Sequence, residues 1–155
     1  MTKIFEQLQK FLDDKHIHYE LIEHEPVFTS EQAAAIRGLG LQNGAKSLLL
    51  KVNNEYMMFV LPGNRKLDSK KVKQLTGSKK IRFATPEEVL EVTGTQIGAV
   101  YPFGEIAAVK MVVDKRLAEN EIIAFNPGVH HKSVIMKWSE YQKATDPTLV
   151  DMSQE

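Results

Sequence analysis

Residues 45–62, AKSLLLKVNNEYMMFVLP, predict the centre of the fold. The first and last eight residues of this segment are rich in leucine, valine, methionine and aromatic side chains, which is typical of buried strands. Asn53 and Asn54 stand between them, and asparagine tolerates the positive φ that tight turns require. We therefore expect an antiparallel hairpin here, with Lys46 near the start of its first strand.

Helix and strand patterns alternate on both sides of this hairpin, with no repeat, linker or low-complexity segment between them. We therefore expect a single α+β domain over residues 1–155, with roughly six or seven strands and four or five helices. The expected helices cover residues 3–14, 30–37, 69–76, 86–93 and 140–145. Thr29 and Gln32 are the expected capping box of the second helix, and Ser139 is the expected cap of the last. The other expected strands lie within 18–23, 80–84, 106–113, 118–125 and 133–138. The tail, residues 146–155, is expected to be loose.

The composition narrows the class of protein. The chain has no cysteine, which excludes disulfides, thiolate metal ligands and thiol nucleophiles. No apolar run approaches the roughly 20 residues of a membrane span, and the N-terminal segment, which contains Glu6, does not match a signal peptide. We therefore expect a cytoplasmic protein without a membrane partner. The formal net charge is zero, which argues against nucleic-acid binding through bulk electrostatics.

The charge is nevertheless unevenly distributed. Residues 64–82 contain eight lysines and arginines and one aspartate. Such a segment is either a solvated surface or a patch that faces phosphates. If it faces phosphates, the candidates for that contact are Arg65, Lys66, Lys70 and Lys71.

Familiar catalytic motifs are missing from the sequence. There is no HExxH spacing and no G-x-S-x-G pentapeptide, so a metal site and a serine nucleophile are both weakly supported, and no cofactor is expected. Residues 94–104, GTQIGAVYPFG, are an apolar, glycine-rich connector. They are either a structural turn or a backbone that approaches a ligand and points N–H groups at it. Lys46 is either an ordinary strand-end lysine or a point charge for a phosphate.

Three segments in this order resemble the YbaK / prolyl-tRNA-synthetase-associated editing-domain family. They are AKSLLLK with Lys46, GAVYPFG with Gly98 and Pro102, and FNPGVHHKSVIMKW at residues 125–138. HEPVFT at residues 24–29 and LPGNRKLDSKKVKQLTGSKKIRFATPEEV at residues 61–89 add to the resemblance, which covers about residues 24–141. It implies a mixed, barrel-like sheet flanked by helices, with one cleft. It also implies a trans-editing hydrolase that removes the amino acid from a mischarged tRNA.

The same resemblance implies the residues of the site. Lys46 and Gly98 are the expected catalytic residues, with Lys46 on the terminal phosphate or ribose and N–H groups near Gly98 on the ester carbonyl. The ribose 2′-hydroxyl would assist the attacking water, so no protein nucleophile is needed. The expected partner is the acceptor end of mischarged tRNA, which Arg65, Lys66, Lys70 and Lys71 would contact. A synthetase is expected as a transient partner, and the expected state is a monomer. The expected substrate-binding residues are Ser47, Ala99, Val100, Tyr101, Pro102, Gly104, Asn126 and Phe28.

One position departs from the family pattern. Alanine-selective members resemble FHP where this chain has Phe125-Asn126-Pro127. A polar Asn126 could favour a small hydroxylated amino acid such as serine or threonine, or it could be a simple turn residue. Two other functions stay open at this point. One is a non-catalytic module that binds a tRNA end or a nucleotide, and the other is a metal-dependent hydrolase.

Overall fold

The computed structural model describes residues 2–155, which form eight strands, six α-helices and two short 3-10 turns. The helices are α1 (Thr2–Asp14), α2 (Ser30–Arg37), α3 (Ser69–Thr76), α4 (Pro86–Thr93), α5 (Gly104–Ala107) and α6 (Trp138–Thr145). The strands are β1 (Glu20–Glu23), β2 (Ala45–Val52), β3 (Glu55–Pro62), β4 (Ile81–Phe83), β5 (Lys110–Asp114), β6 (Ile122–Phe125), β7 (Lys132–Lys137) and β8 (Leu149–Val150). The 3-10 turns are Leu41–Asn43 and Lys115–Glu119.

The predicted hairpin is confirmed. Strands β2 and β3 pair antiparallel over their whole length, from Ala45 opposite Pro62 to Val52 opposite Glu55. Asn53 supplies the positive φ, 58°, at the turn. The four residues from Met58 to Leu61 are fully buried, so this hairpin is the centre of the larger sheet.

Two sheets make up the β structure. The larger has the strand order β4-β2-β3-β5-β8, and the smaller has the order β1-β7-β6. The pairs β3–β5 and β5–β8 are parallel and the other pairs are antiparallel, so the larger sheet is mixed. A single bridge between Gly44 and Ala124 joins the start of β2 to β6. The expected α+β class is confirmed, and over residues 2–155 the barrel-like arrangement takes the form of two open sheets rather than a closed barrel.

An aromatic cluster fills the main core next to the glycine-rich connector. The ring of Phe103 lies 5.2 Å from that of Phe11 and 5.4 Å from those of Phe125 and Tyr141. Such tilted and edge-on pairs add to the free energy of apolar burial. Helix α1, the connector, β6 and α6 are therefore held against one another.

Most expected helix boundaries are confirmed by their caps. The side chain of Asp68 accepts hydrogen bonds from the backbone N–H groups of Lys70 and Lys71, and α3 ends at Gly77 with φ 68°. At α2 only half of the expected capping box forms. Thr29 accepts from the N–H of Gln32, but the Gln32 side chain accepts from the N–H of Phe28 instead of that of Thr29.

Two local predictions are wrong. The strand expected over 106–113 begins only at Lys110, because Gly104–Ala107 form one helical turn first. Ser139 is not a cap, because α6 begins at Trp138 and Lys137 occupies the cap position without a side-chain hydrogen bond.

The C-terminal tail is ordered rather than loose. Leu149 and Val150 add a short parallel strand to β5, and Met152 and Ser153 are fully buried. The buried carboxylate of Asp114 accepts a hydrogen bond from the N–H of Met152. No helix of residues 2–155 combines the length and the apolar character that crossing a membrane would require.

Candidate active site

A cavity of about 380 Å³ opens between α2, the start of β2 and the connector. Helix α2 presents small side chains to it at helical spacing, Ser30, Ala33 and Ala34. Among the described residues that line it there is no aspartate, glutamate or histidine. Six of the predicted site residues line it, namely Phe28, Lys46, Ser47, Gly98, Val100 and Asn126.

The cavity exists because β2 is incompletely covered at its start. Strand β4 pairs with β2 only at residues 50–52, while residues 45–49 have β3 on one side. The space on the other side, below the bridge from Gly44 to Ala124, is the cavity. The part of β2 that borders the cavity thus includes two polar residues, Lys46 and Ser47.

Lys46 is a partly buried cation that no anion neutralises. Across residues 2–155 its side chain has no ion-pair or hydrogen-bond partner. Burial lowers the pKa of its ammonium below the ordinary value, the negative charge of Glu31 opposes this, and the positive charge of Lys66 adds to it. Such an ammonium is available for an anionic ligand.

Arg37, which the sequence analysis did not select, is a second cation in the cavity wall. Its Nε donates to Ser133 Oγ at 2.9 Å and its Nη2 donates to Asn126 Oδ1 at 3.1 Å. No carboxylate pairs with it in the described part of the chain, and burial lowers its pKa to about 10. A sequence signal was present, because Arg37 continues the spacing of Ser30 and Ala33 along the same face of α2.

Asn126 both organises its loop and faces the cavity. Its Nδ2 donates to the backbone carbonyls of Val129 (3.3 Å) and Lys132 (3.2 Å), while its Oδ1 accepts from Arg37. Both amide hydrogens are therefore engaged. The group left for a ligand is the second lone pair of Oδ1. The two interpretations of Asn126, turn residue and pocket residue, are both compatible with this geometry.

The connector is anchored on several sides. Ser47 Oγ donates to the carbonyl of Tyr101 at 3.0 Å, Tyr101 Oη donates to the carbonyl of Thr93 at 2.8 Å, and Tyr141 Oη donates to the carbonyl of Pro102 at 2.7 Å. These hydroxyls fix the position of the backbone that follows Gly98. The apolar side chains of the connector thus have a structural role, because they attach it to the core.

Backbone donors remain available where the connector borders the cavity. Ala99 N–H donates to the Gln96 carbonyl at 3.1 Å and is therefore engaged. For Gly98 and Val100, no acceptor of their N–H groups exists within residues 2–155. Gly98 has φ +89°, a conformation that glycine adopts without strain, and it is exposed at the cavity.

Four predicted substrate-binding residues lie outside the cavity lining, and their contact with a substrate stays a prediction. Ala99, Tyr101, Pro102 and Gly104 are all buried. A Cβ on Gly104 would lie 2.6 Å from the carbonyl oxygen of Val109, so this glycine is required by close packing. We assign these four residues to the support of the site.

Three large apolar side chains form an exposed rim around the cavity. Phe28, Phe83 and Ile97 are 66%, 61% and 53% exposed and all line the opening. The Phe28 ring lies 4.7 Å from the ring of His130, which places it against a second aromatic surface. Exposed aromatic rings at a cleft are typical of sites that stack unpaired bases.

The four basic residues predicted to contact tRNA differ in their surroundings. Lys71 Nζ binds Asp151 Oδ1 at 3.1 Å and the carbonyl of Ser153 at 2.8 Å, and Arg65 Nη1 donates to the carbonyl of Gln154 at 3.1 Å. These two side chains therefore hold the C-terminal tail. Lys66 and Lys70 are exposed, and Lys66 is close enough to lower the pKa of Lys46.

The part of the chain that the structure describes contains no group of three or more histidine, aspartate, glutamate or cysteine side chains arranged to hold a metal ion.

Comparison with known proteins places this site in a family. The family model described as "Aminoacyl-tRNA editing domain" matches residues 24–144. The "Multifunctional Ser/Thr-tRNA deacylase ProXp-y" of Escherichia coli (strain K12) is 33% identical over 151 residues, which cover 94% of this chain and 90% of that protein. The "Prolyl-tRNA editing protein ProX" of Acetoanaerobium sticklandii is 30% identical over 138 residues, which cover 85% and 84%.

A solved structure supports the same assignment. A crystal structure described as that of a proposed trans-editing enzyme for prolyl tRNA synthetase superposes with a TM-score of 0.86 and 25% identity, covering 98% of each chain. The matched region, residues 24–144, includes the cavity, its two cations and the anchored connector. The chain belongs to the aminoacyl-tRNA editing domain family.

Proposed function

We propose that the chain is a trans-editing hydrolase that deacylates mischarged aminoacyl-tRNA. The observation that supports this most directly is the pairing, across one cavity, of an unneutralised Lys46 with the free N–H groups of Gly98 and Val100. The first can hold an anionic part of the tRNA end. The second can donate hydrogen bonds to the oxyanion that forms when water attacks an ester.

In the proposed mechanism the substrate supplies the proton transfer. Water attacks the ester carbonyl carbon, its proton passes by way of the ribose 2′-hydroxyl, and the ester C–O bond breaks to release the 3′-hydroxyl of the terminal adenosine. Lys46 binds the terminal phosphate or ribose as a point charge. The N–H groups of Gly98 and Val100 stabilise the developing oxyanion in a fixed geometry. The described cavity lining offers no histidine or carboxylate as a base, which is consistent with a substrate-assisted reaction.

The surface around the cavity fits an unpaired nucleic-acid end. The exposed rings of Phe28 and Phe83 offer stacking surfaces to the terminal bases, and the exposed Lys66 and Lys70 offer charges to the phosphates behind them. We place the protein in the cytoplasm with aminoacyl-tRNA, as a monomer that contacts a synthetase at most transiently.

We further propose that the amino acid removed is small and hydroxylated. The relative from Escherichia coli is named a Ser/Thr-tRNA deacylase. In this chain Asn126 Oδ1 keeps one lone pair that can accept a hydrogen bond from a side-chain hydroxyl. Alanine has no such donor.

The proposal is tested with purified protein and one tRNA charged separately with serine, threonine, alanine and cysteine. Wild type should release serine and threonine under single-turnover conditions, with and without chelator, and Lys46→Ala should not. If wild type binds the charged tRNAs but releases no amino acid, the protein is a non-catalytic binding module. If chelator abolishes the release, the metal-free mechanism is wrong.

A further inference from the structure

One guanidinium nitrogen of Arg37 has no hydrogen-bond partner among the described residues and lies at the cavity. Of its three guanidinium nitrogens, Nε is taken by Ser133 and Nη2 by Asn126. In residues 2–155 nothing accepts from Nη1, which lies 3.6 Å from the position that a Cβ on Gly44 would occupy. Arg37 and Gly44 both line the cavity, so Nη1 borders the space where a ligand would sit.

The orientation of this guanidinium is fixed by its partners. Ser133 is fully buried, and Asn126 is itself held by two backbone carbonyls. A planar fork that is held at two of its nitrogens points the third in a defined direction. Leaving a partly buried cation without an anion costs folding free energy, and such unneutralised groups are concentrated at functional sites.

We propose that Arg37 determines specificity by recognising the side-chain hydroxyl of the esterified amino acid. Nη1 donates to the hydroxyl oxygen, and the hydroxyl hydrogen is donated to the free lone pair of Asn126 Oδ1. Because Nη2 already binds Oδ1, the donor and the acceptor stand side by side, which matches the two hydrogen-bonding functions of a hydroxyl group. This inference rests on the proposed deacylase function.

Two other ligand groups fit the same position less well. A carboxylate would bind Nη1 but would place a negative oxygen beside Asn126 Oδ1, which is an acceptor. A methyl group, as in alanine, would leave Nη1 and the second lone pair of Asn126 Oδ1 unused in a partly buried site. A site built for a hydroxyl rejects an analogue that lacks it far more strongly than an apolar pocket does.

The test compares seryl-, alanyl- and aspartyl-esters on one tRNA, so that every substrate shares the same nucleic acid. For wild type we expect kcat/KM for the seryl ester to exceed that for the alanyl ester by about 10- to 100-fold. Arg37→Met should bring this ratio close to one, mainly through loss of seryl hydrolysis, with alanyl hydrolysis within about threefold of wild type. Asn126 retains its two bonds to backbone carbonyls in this variant, so the loop should stay in place.

A second variant guards against misfolding. Arg37→Lys keeps the positive charge but cannot serve Ser133, Asn126 and a ligand at once, so it should also lose the preference for serine while keeping alanyl hydrolysis. An equal fall for the seryl and alanyl esters would overturn the proposal and place Arg37 on the tRNA itself. An unchanged ratio, or an aspartyl ester hydrolysed faster than the seryl ester by wild type, would overturn it as well. If wild type hydrolyses none of the esters, the deacylase function fails instead.

Discussion

Replacing Lys46 with methionine should slow deacylation strongly and, at the same time, leave the fold as stable or more stable. Methionine has a similar length, so the side chain still occupies the edge of the cavity. No ion pair or hydrogen bond is lost in the described residues, because Lys46 makes none there. The buried charge is removed, and with it the cost that lowers the pKa of this lysine. Polar groups kept for function often cost stability in this way.

The expected magnitudes follow from what the side chain binds. A hydrogen bond to a charged group contributes about 1.5–3 kcal/mol, which corresponds to a fall of about 10- to 150-fold in kcat/KM. Removing an unneutralised cation should raise the free energy of unfolding by about 0.5–1 kcal/mol. For a chain of 155 residues this is a rise of about 1–4 °C in Tm. Single-turnover deacylation of seryl-tRNA and urea unfolding measure the two effects separately.

The pH dependence of stability and activity tests the predicted direction of these effects independently. Because the pKa of folded Lys46 lies below the ordinary value of 10.5, the cost of the buried charge is fully present at neutral pH. It shrinks as the pH rises from the folded pKa towards 10.5, so the stability advantage of Lys46→Met should shrink there too. Wild-type activity should fall on the alkaline side below 10.5, where the ammonium loses its proton.

Lys51→Met is the matched control, on the same strand. Lys51 lies outside the cavity lining, with its ammonium 5.4 Å from the centre of the Tyr56 ring. This variant should keep full activity and lose at most about 1 kcal/mol of stability. If Lys46→Met retains activity, Lys46 does not contribute to deacylation. If the variant is clearly less stable than wild type, Lys46 is a structural residue. Either result would refute the role assigned to Lys46.

Two further predictions concern backbone strain and the C-terminal tail. Gly98→Ala should lower the free energy of unfolding by about 1–3 kcal/mol, because φ is +89° there, and should also slow deacylation. Gly77→Ala, at φ +68° and far from the cavity, should cost comparable stability without loss of activity; equal activity in both variants would exclude Gly98 from the site. Arg116→Gln should raise the pKa of Asp151 from about 2 towards 3.8, as followed by NMR titration, because Arg116 is the main cause of its low value. The stability that wild-type Asp151 contributes is present above pH 3.8 and is lost as the pH falls towards 2, so the variant should unfold at higher pH in acid; an unchanged pKa would contradict the assigned ion pair.

The parts of the fold that could be predicted from the sequence are those that depend on contacts between residues close together in the chain. Apolar runs on either side of Asn53 could pair only as a hairpin, and Asp68 and Thr85 cap their helices by contacts within three residues. The C-terminal tail was missed because its order depends on distant partners. Val150 pairs with β5, and Asp151 binds Arg116, which lies 35 residues earlier in the chain.

The candidate site was predictable to the extent that family motifs mark it. Lys46, Gly98 and Asn126 do line one cavity. Tyr101 was taken for a ligand contact because it lies in the motif, but its hydroxyl binds the end of α4 inside the core. Arg37 was missed for the opposite reason. Arg37 is the last residue of the alanine-rich helix α2, where a basic side chain is common. Only the folded structure shows that no carboxylate of the described residues pairs with it.

The polar groups of the cavity determine which step of ester hydrolysis the protein can assist. The two cations and the free N–H groups of the connector can all stabilise negative charge, but none of them can take a proton from water at neutral pH. The hydroxyls of Thr29 and Ser47 are already used for a helix cap and for the connector. The proposed mechanism therefore takes its proton transfer from the substrate, where the 2′-hydroxyl lies next to the ester. A tRNA whose terminal ribose lacks the 2′-hydroxyl should therefore bind with normal affinity and be hydrolysed far more slowly, and normal hydrolysis of that substrate would require a base that the described cavity does not contain.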